Sequence, residues 1–205
     1  GYVERPRKVK IDYLDENAQN LGELIVQEMG KPIALAVGEV KKCAALCRYY
    51  AENAQKFLTE TPIKTPKGTA SVKYLPIGAI LAIMPWNFPF WQVFRFAVPA
   101  LMAGNVCLLK HASNVPDCAL EIEKIFNQCG FMHAEFQTLM IGSDRVESVI
   151  SDPRVAAVTL TGSEDAGSKV AQAAGKYLKK SVLELGGSDP FIVMKSADFD
   201  NAVKM

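Results

Sequence analysis

From Gly78 to Pro89 the chain reads Gly-Ala-Ile-Leu-Ala-Ile-Met-Pro-Trp-Asn-Phe-Pro, and few folds accommodate such a run. Ala79 to Met84 is apolar throughout, so an extended segment here has no face suited to water. That is the state of a strand in a parallel sheet covered on both sides. Pro85 ends the ladder, because it has no N–H to donate and disfavours helix in the residue before it. Trp86, Asn87 and Phe88 are then held between two prolines, and 90–101 reads as an apolar helix. Open α/β sheets bind ligands where a strand's C-terminal end opens into a turn and a helix. Asn87 is the polar residue of that turn. Its side-chain amide and a nearby backbone N–H can aim two donors at a developing oxyanion; satisfying the turn's own backbone is the structural alternative.

Beyond Pro76, strand candidates at 79–84, 106–110, 137–141, 156–160, 182–185 and 191–194 alternate with helical stretches at 90–101, 117–129, 144–151 and 165–179. Such alternation predicts an α/β fold, a doubly wound parallel sheet of Rossmann-like kind with right-handed crossovers. Upstream, apolar residues at helical spacing run from Lys8 to Met29, and Gly30-Lys31-Pro32 closes that helix. A longer amphipathic helix covers Ile33 to Leu58. Thr61 to Leu75 alternates polar and apolar residues around Pro66-Lys67-Gly68, the pattern of a two-stranded hairpin. A hairpin that small is marginal alone, so it is expected to pack on another subunit or domain.

Lys and Arg total 23 against 22 Asp and Glu, a net charge of +1 with the basic residues scattered. No electrostatic footprint argues for nucleic acid or an anionic membrane, and no apolar run reaches the roughly 18 residues of a membrane span. The N-terminal residues lack the apolar core of a signal peptide. Five cysteines at irregular spacing show neither a disulfide framework nor a metal-binding pattern. No metal is expected, and a reducing cytoplasm is the expected compartment.

Four motifs occur together: Pro85-Trp-Asn-Phe-Pro89; Ala103-Gly-Asn105 with Leu108-Leu-Lys110; Thr161-Gly-Ser163; and Leu183-Glu-Leu-Gly-Gly187. In this order and spacing the chain resembles the NAD(P)-dependent aldehyde dehydrogenases, from about Ile11 to its last residue, with succinate-semialdehyde dehydrogenases the nearest in look. The resemblance implies N-terminal helices over 1–60, an oligomerisation β arm over 61–77 and an NAD(P)-binding domain over 78–205. It implies that Asn87 is the oxyanion-hole amide and Glu184 the base that activates the deacylating water. Apolar neighbours on either side of Glu184 lead one to expect a raised pKa suited to that work; a buried structural acid paired with a lysine is the alternative.

For the cofactor, NAD or NADP, the resemblance implies Met84, Pro85, Trp86, Lys110, Ser113, Gly142, Thr161, Gly162, Ser163, Gly167 and Leu185. Thr161-Gly162-Ser163 lies between a strand and a helix, where backbone N–H groups can meet a pyrophosphate; a plain helix cap at Ser163 is compatible with that. Gly142 is expected to let the cofactor approach closely. The family's Lys-Pro-x-Glu pattern is here Lys110-His-Ala-Ser113. Losing that carboxylate removes the charge that would repel a 2′-phosphate, so tolerance of NADP is expected. His111 is expected to be a surface or groove residue outside the chemistry. For the substrate, Phe88 is expected to line the aldehyde tunnel. Arg95, ten residues after Pro85, occupies a position where succinate-semialdehyde dehydrogenases carry arginine, and a guanidinium can hold a distal carboxylate bidentately. A helix arginine snorkelling to solvent or pairing with an acid of the protein is the alternative.

Attack on an aldehyde by this route needs a thiolate, and the family's nucleophilic cysteine lies in a second domain beyond the Glu184 motif. The five cysteines here read as small buried hydrophobes. The expectation is therefore a portion of an enzyme that oxidises an aldehyde, succinate semialdehyde or an uncharged one, as a homodimer or homotetramer joined through the 61–77 arm. A catalytically inactive dinucleotide-binding or assembly module is the alternative.

Overall fold

The computed structural model describes residues 12–131 and 134–204. The chain begins with α1 (Asp12–Glu16), α2 (Ala18–Met29) and α3 (Ile33–Phe57). The first expected helix is thus broken at Asn17, and its residues 8–11 lie outside the described residues. The break has a local cause: the Asn17 side-chain amide donates to the Tyr13 carbonyl at 2.8 Å, the competition with backbone bonding that disfavours asparagine inside helices. Gly30 closes α2 at φ 73°, a left-handed cap suited to glycine.

The hairpin β1 (Thr61–Lys64) and β2 (Thr69–Val72) follows, antiparallel and exposed at every residue. Then come β3 (Ala79–Met84), α4 (Trp91–Met102), β4 (Val106–His111), α5 (Pro116–Gln128), β5 (Phe136–Thr138), α6 (Val146–Ser151), β6 (Val155–Thr161), α7 (Glu164–Lys176), β7 (Lys180–Glu184) and α8 (Phe199–Lys204). A single 3₁₀ turn at Ser143–Arg145 precedes α6.

β3 to β7 form one parallel sheet in the order β5-β4-β3-β6-β7. The chain enters at the central strand, winds to one side through β4 and β5, then crosses to β6 and β7. The reversal lies between β3 and β6, and the crevice at their C-terminal ends is where a doubly wound sheet receives a ligand.

Successive side chains of a strand face opposite ways, and β3 feeds two cores accordingly. Ala82 and Met84 join the core formed with α1 to α5, while Leu81 and Ile83 pack toward Ile150, Val170 and Ala174 of α6 and α7. Two glutamates fasten the N-terminal helices to this domain. Glu28 of α2 accepts the Asp117 and Cys118 N–H groups at 2.8 and 2.7 Å. Glu39 of α3 accepts those of Phe90 and Trp91, both at 2.9 Å. Each carboxylate caps a helix start, where unpaired N–H groups and the helix dipole favour negative charge.

Two expected elements differ. The 191–194 segment forms no strand, and Phe191 and Ile192 are 73% and 74% exposed. Among the described residues no strand lies beside it to supply ladder bonds, and a strand depends on such neighbours. The third expected strand, 137–141, contracts to Phe136–Thr138.

Candidate active site

The turn carrying Asn87 leaves the C-terminal end of β3, with Trp86, Asn87 and Phe88 exposed and Met84, Pro89 and Phe90 buried. Its tip is therefore presented to solvent from a fixed base. Asn87 is placed where a donor can meet a ligand. Trp86 is 50% exposed, and the Phe88 ring lies 3.6 Å beneath the Lys31 ammonium. Met84 is 4% exposed and belongs to the core.

Ser163 caps α7, its hydroxyl accepting the Ala166 N–H at 3.3 Å. The expectation that the 161–163 amides are free for a pyrophosphate needs correction at Gly162, whose N–H donates to the Glu184 carbonyl at 3.0 Å. The first turn of α7 also carries Glu164 and Asp165, the latter paired with Lys169 at 2.8 Å. A Cβ at Gly167 would come within 2.4 Å of the Leu185 side chain, and one at Gly142 within 2.4 Å of the Asp144 carboxylate. Gly142 lies in extended backbone before the 3₁₀ turn, four residues past β5, rather than at a strand end.

Two hollows open on opposite faces of the sheet. One, about 760 Å³, runs between α6 and α7 and is lined by Ile83, Lys110, Ser143, Leu160 and Lys169. The other, about 420 Å³, is lined by Met84, Arg95, Thr161 and Glu184. The residues expected at a single cofactor site are thus divided between the faces, Lys110 on one and Met84 and Thr161 on the other. Ser113 is exposed in the loop between β4 and α5.

In the second hollow the Arg95 guanidinium and the Glu184 carboxylate form an ion pair. Their side chains are 37% and 51% exposed, which corrects the expectation of apolar surroundings for Glu184. Leu183 and Leu185 flank it in sequence, but alternation along an edge strand points their side chains away from it. Arg95 takes the acid-pairing alternative. A guanidinium has five N–H donors, so this pairing leaves donors for a second carboxylate.

His111 also departs from expectation. It is 6% exposed, with Nε2 2.8 Å from the Pro89 carbonyl and Nδ1 3.2 Å from the Met84 carbonyl. The Ala112 N–H donates to Nδ1 at 2.9 Å, so the neutral ring carries its proton on Nε2 and donates it to Pro89. Burial, first, holds its pKa below the ordinary value. Lys31 and Glu39 form a buried ion pair at the start of α4. Sequence reasoning missed this pair, although a signal existed: Glu39 shares the core-facing stripe of Ala36, Val40 and Cys43, an unusual place for a carboxylate.

All five cysteines are buried. Burial pushes the thiols of Cys47 and Cys107 up to about 12 and raises those of Cys43 and Cys118. None of these four is poised as a thiolate nucleophile. Among the described residues no group of three His, Cys, Asp or Glu could hold a metal ion, and no helix is long and apolar enough to cross a membrane.

The family model described as the aldehyde dehydrogenase family matches residues 8–205. The chain belongs to that family. Among its relatives, the NADP(+) succinate-semialdehyde dehydrogenase 1 of Mycobacterium tuberculosis is 55% identical over 208 aligned positions, covering 99% of this chain and 46% of that protein. The NADP(+) succinate-semialdehyde dehydrogenase of Mycobacterium avium is 53% identical over 196, covering 94% of this chain and 42% of its own length. The crystal structure of succinic semialdehyde dehydrogenase from Streptococcus pyogenes with NADP+ superposes with a TM-score of 0.93 at 40% identity, covering 97% of this chain and 44% of that one. The chain thus spans less than half the length of the family members it matches.

Proposed function

We propose that this chain supplies the cofactor domain, the oxyanion donor and the water-activating base of an aldehyde dehydrogenase that oxidises succinate semialdehyde using NADP. The observation that carries the reading is the meeting of Arg95 and Glu184 in one hollow at the C-terminal end of the sheet. A cation able to hold a distal carboxylate thereby stands beside a carboxylate able to take a proton. The names of the relatives above support the substrate and cofactor.

In this reading Asn87 donates its amide hydrogen bond to the oxyanion that forms when a thiolate from outside these residues adds to the aldehyde. Arg95 fixes the far carboxylate. Glu184, open to solvent, takes a proton from the water that releases the acid. NADP, when bound, accepts the hydride. The groove between α6 and α7 suits its adenosine end, because Lys110 supplies a cation there and Ser113, in the adjoining loop, replaces a carboxylate that would repel the 2′-phosphate. The compartment we propose is the cytoplasm. The hairpin of β1 and β2, with Ile63 and Val72 47% and 40% exposed, is proposed to seat on a second copy, which light scattering of a hairpin-deleted variant tests.

The functional test is steady-state oxidation of succinate semialdehyde and of an uncharged aldehyde by the intact polypeptide carrying this chain, with NAD and with NADP. A preference for the carboxylated aldehyde and NADP that Arg95→Ala weakens for that aldehyde alone supports the reading. An equal effect on both aldehydes overturns the substrate assignment.

A further inference from the structure

The 84–89 turn is held at its far end by a side chain from β4. His111, the last residue of β4, lies beside Met84 in the parallel register of β3 and β4. From there its buried ring donates the Nε2 proton to the Pro89 carbonyl at 2.8 Å, while Nδ1 accepts the Ala112 N–H at 2.9 Å and so fixes the ring's orientation. Just downstream, the Glu39 carboxylate holds the Phe90 and Trp91 N–H groups, so the start of α4 is fixed from a different element. The exposed tip between β3 and these holds is short: Trp86, Asn87 and Phe88. A turn pinned this closely has little freedom to redirect its middle residue, and a preorganised donor is what oxyanion stabilisation requires.

We propose that His111 is a positioning residue that acts through Asn87, its imidazole holding the Pro89 carbonyl so that the Asn87 amide is aimed at the reacting oxygen; this rests on the oxyanion reading of Asn87 given above. The hold needs a ring nitrogen that reaches Pro89. Glutamine can place an amide near the position of Nε2, whereas asparagine reaches only the Nδ1 side. The polar pair His111→Gln and His111→Asn therefore separates reach from polarity, and neither substitution puts an apolar group against the Pro89 carbonyl.

The experiment measures kcat, the KM for aldehyde and cofactor, and the melting temperature of the intact polypeptide for His111→Gln, His111→Asn, Asn87→Ala and Asn87→Ala combined with His111→Asn. His111→Asn is expected to lower kcat about tenfold, the scale of a modest misplacement of a catalytic group, with cofactor KM unchanged and His111→Gln close to the parent. In the Asn87→Ala background His111→Asn should cost nothing further, because residues acting through one group are not additive. If His111→Asn lowers kcat by the same factor in both backgrounds, or leaves kcat unchanged when Asn87 is present, the positioning role is overturned and the oxyanion reading survives. If Asn87→Ala itself leaves kcat intact, the oxyanion reading falls and takes this proposal with it. Should His111→Asn fail to fold, His111→Gln decides: loss of kcat in a stably folded glutamine variant overturns the positioning role, and retention supports it.

Discussion

Arg95 on α4 and Glu184 at the end of β7, 89 residues apart in sequence, meet as an ion pair at the C-terminal end of the sheet. Two side chains expected to have separate roles, one toward substrate and one toward water, thus share a contact. In the proposed function, a substrate carboxylate entering this hollow would meet a guanidinium already oriented by Glu184.

Exposed ion pairs contribute up to about 1 kcal/mol, so Arg95→Ala is expected to leave the urea unfolding midpoint nearly unchanged. The KM for succinate semialdehyde should nevertheless rise tenfold or more, by about 1.4 kcal/mol of lost binding. A large drop in midpoint would make Arg95 a structural residue.

Glu184→Gln keeps an oxygen for Arg95 and removes the proton acceptor. Steady-state turnover is expected to fall by about two to four orders of magnitude. Rapid mixing should still show a burst of reduced cofactor, since water attack follows hydride transfer. A burst lost along with turnover would place the role of Glu184 before hydride transfer.

Lys31→Met strands the Glu39 carboxylate in the core. Breaking a buried pair from one side costs about 3–5 kcal/mol, so guanidinium unfolding should show a loss of that size. An effect under about 1 kcal/mol, typical of an exposed pair, would mean that Glu39 reaches water.

His111 gives the fold a pH dependence whose sign follows from burial. Its pKa in the folded chain is below the ordinary 6.5, with burial the largest cause and Lys110 adding to it, while the Pro89 and Met84 carbonyls and Glu28 oppose. As pH falls below about 6.5 the unfolded chain takes up a proton that the folded chain refuses. Stability present above that pH is therefore lost on acidification toward the lower folded value. Denaturant unfolding between pH 7.5 and 5 should show this slope, and His111→Gln should flatten it.

Gly167→Ala is expected to be nearly neutral. The new methyl would displace the Leu185 side chain, which is 42% exposed and can move outward, while alanine gains up to about 1 kcal/mol of helix propensity. A loss above about 2 kcal/mol in thermal unfolding would show that Leu185 is held in place.

Strand periodicity carried most of the architecture. The apolar run at 79–84 is the central strand residue for residue, and the alternation after Pro76 gives four more parallel strands because their two-faced burial leaves a pattern along the chain. The segment 191–194 has a similar composition but no neighbour to pair with among the described residues, and a strand is stabilised by its neighbours as much as by its own residues. The site divides in the same way. Asn87, Arg95 and Glu184 are proposed as site residues from residue types in motif order. That Arg95 and Glu184 touch, that His111 donates to the Pro89 carbonyl, and that Glu39 anchors the helix beyond it are contacts between distant parts of the chain. Only the packing of β3, β4, β7, α3 and α4 brings those groups within hydrogen-bond range, and the burial that lowers the His111 pKa arises with it.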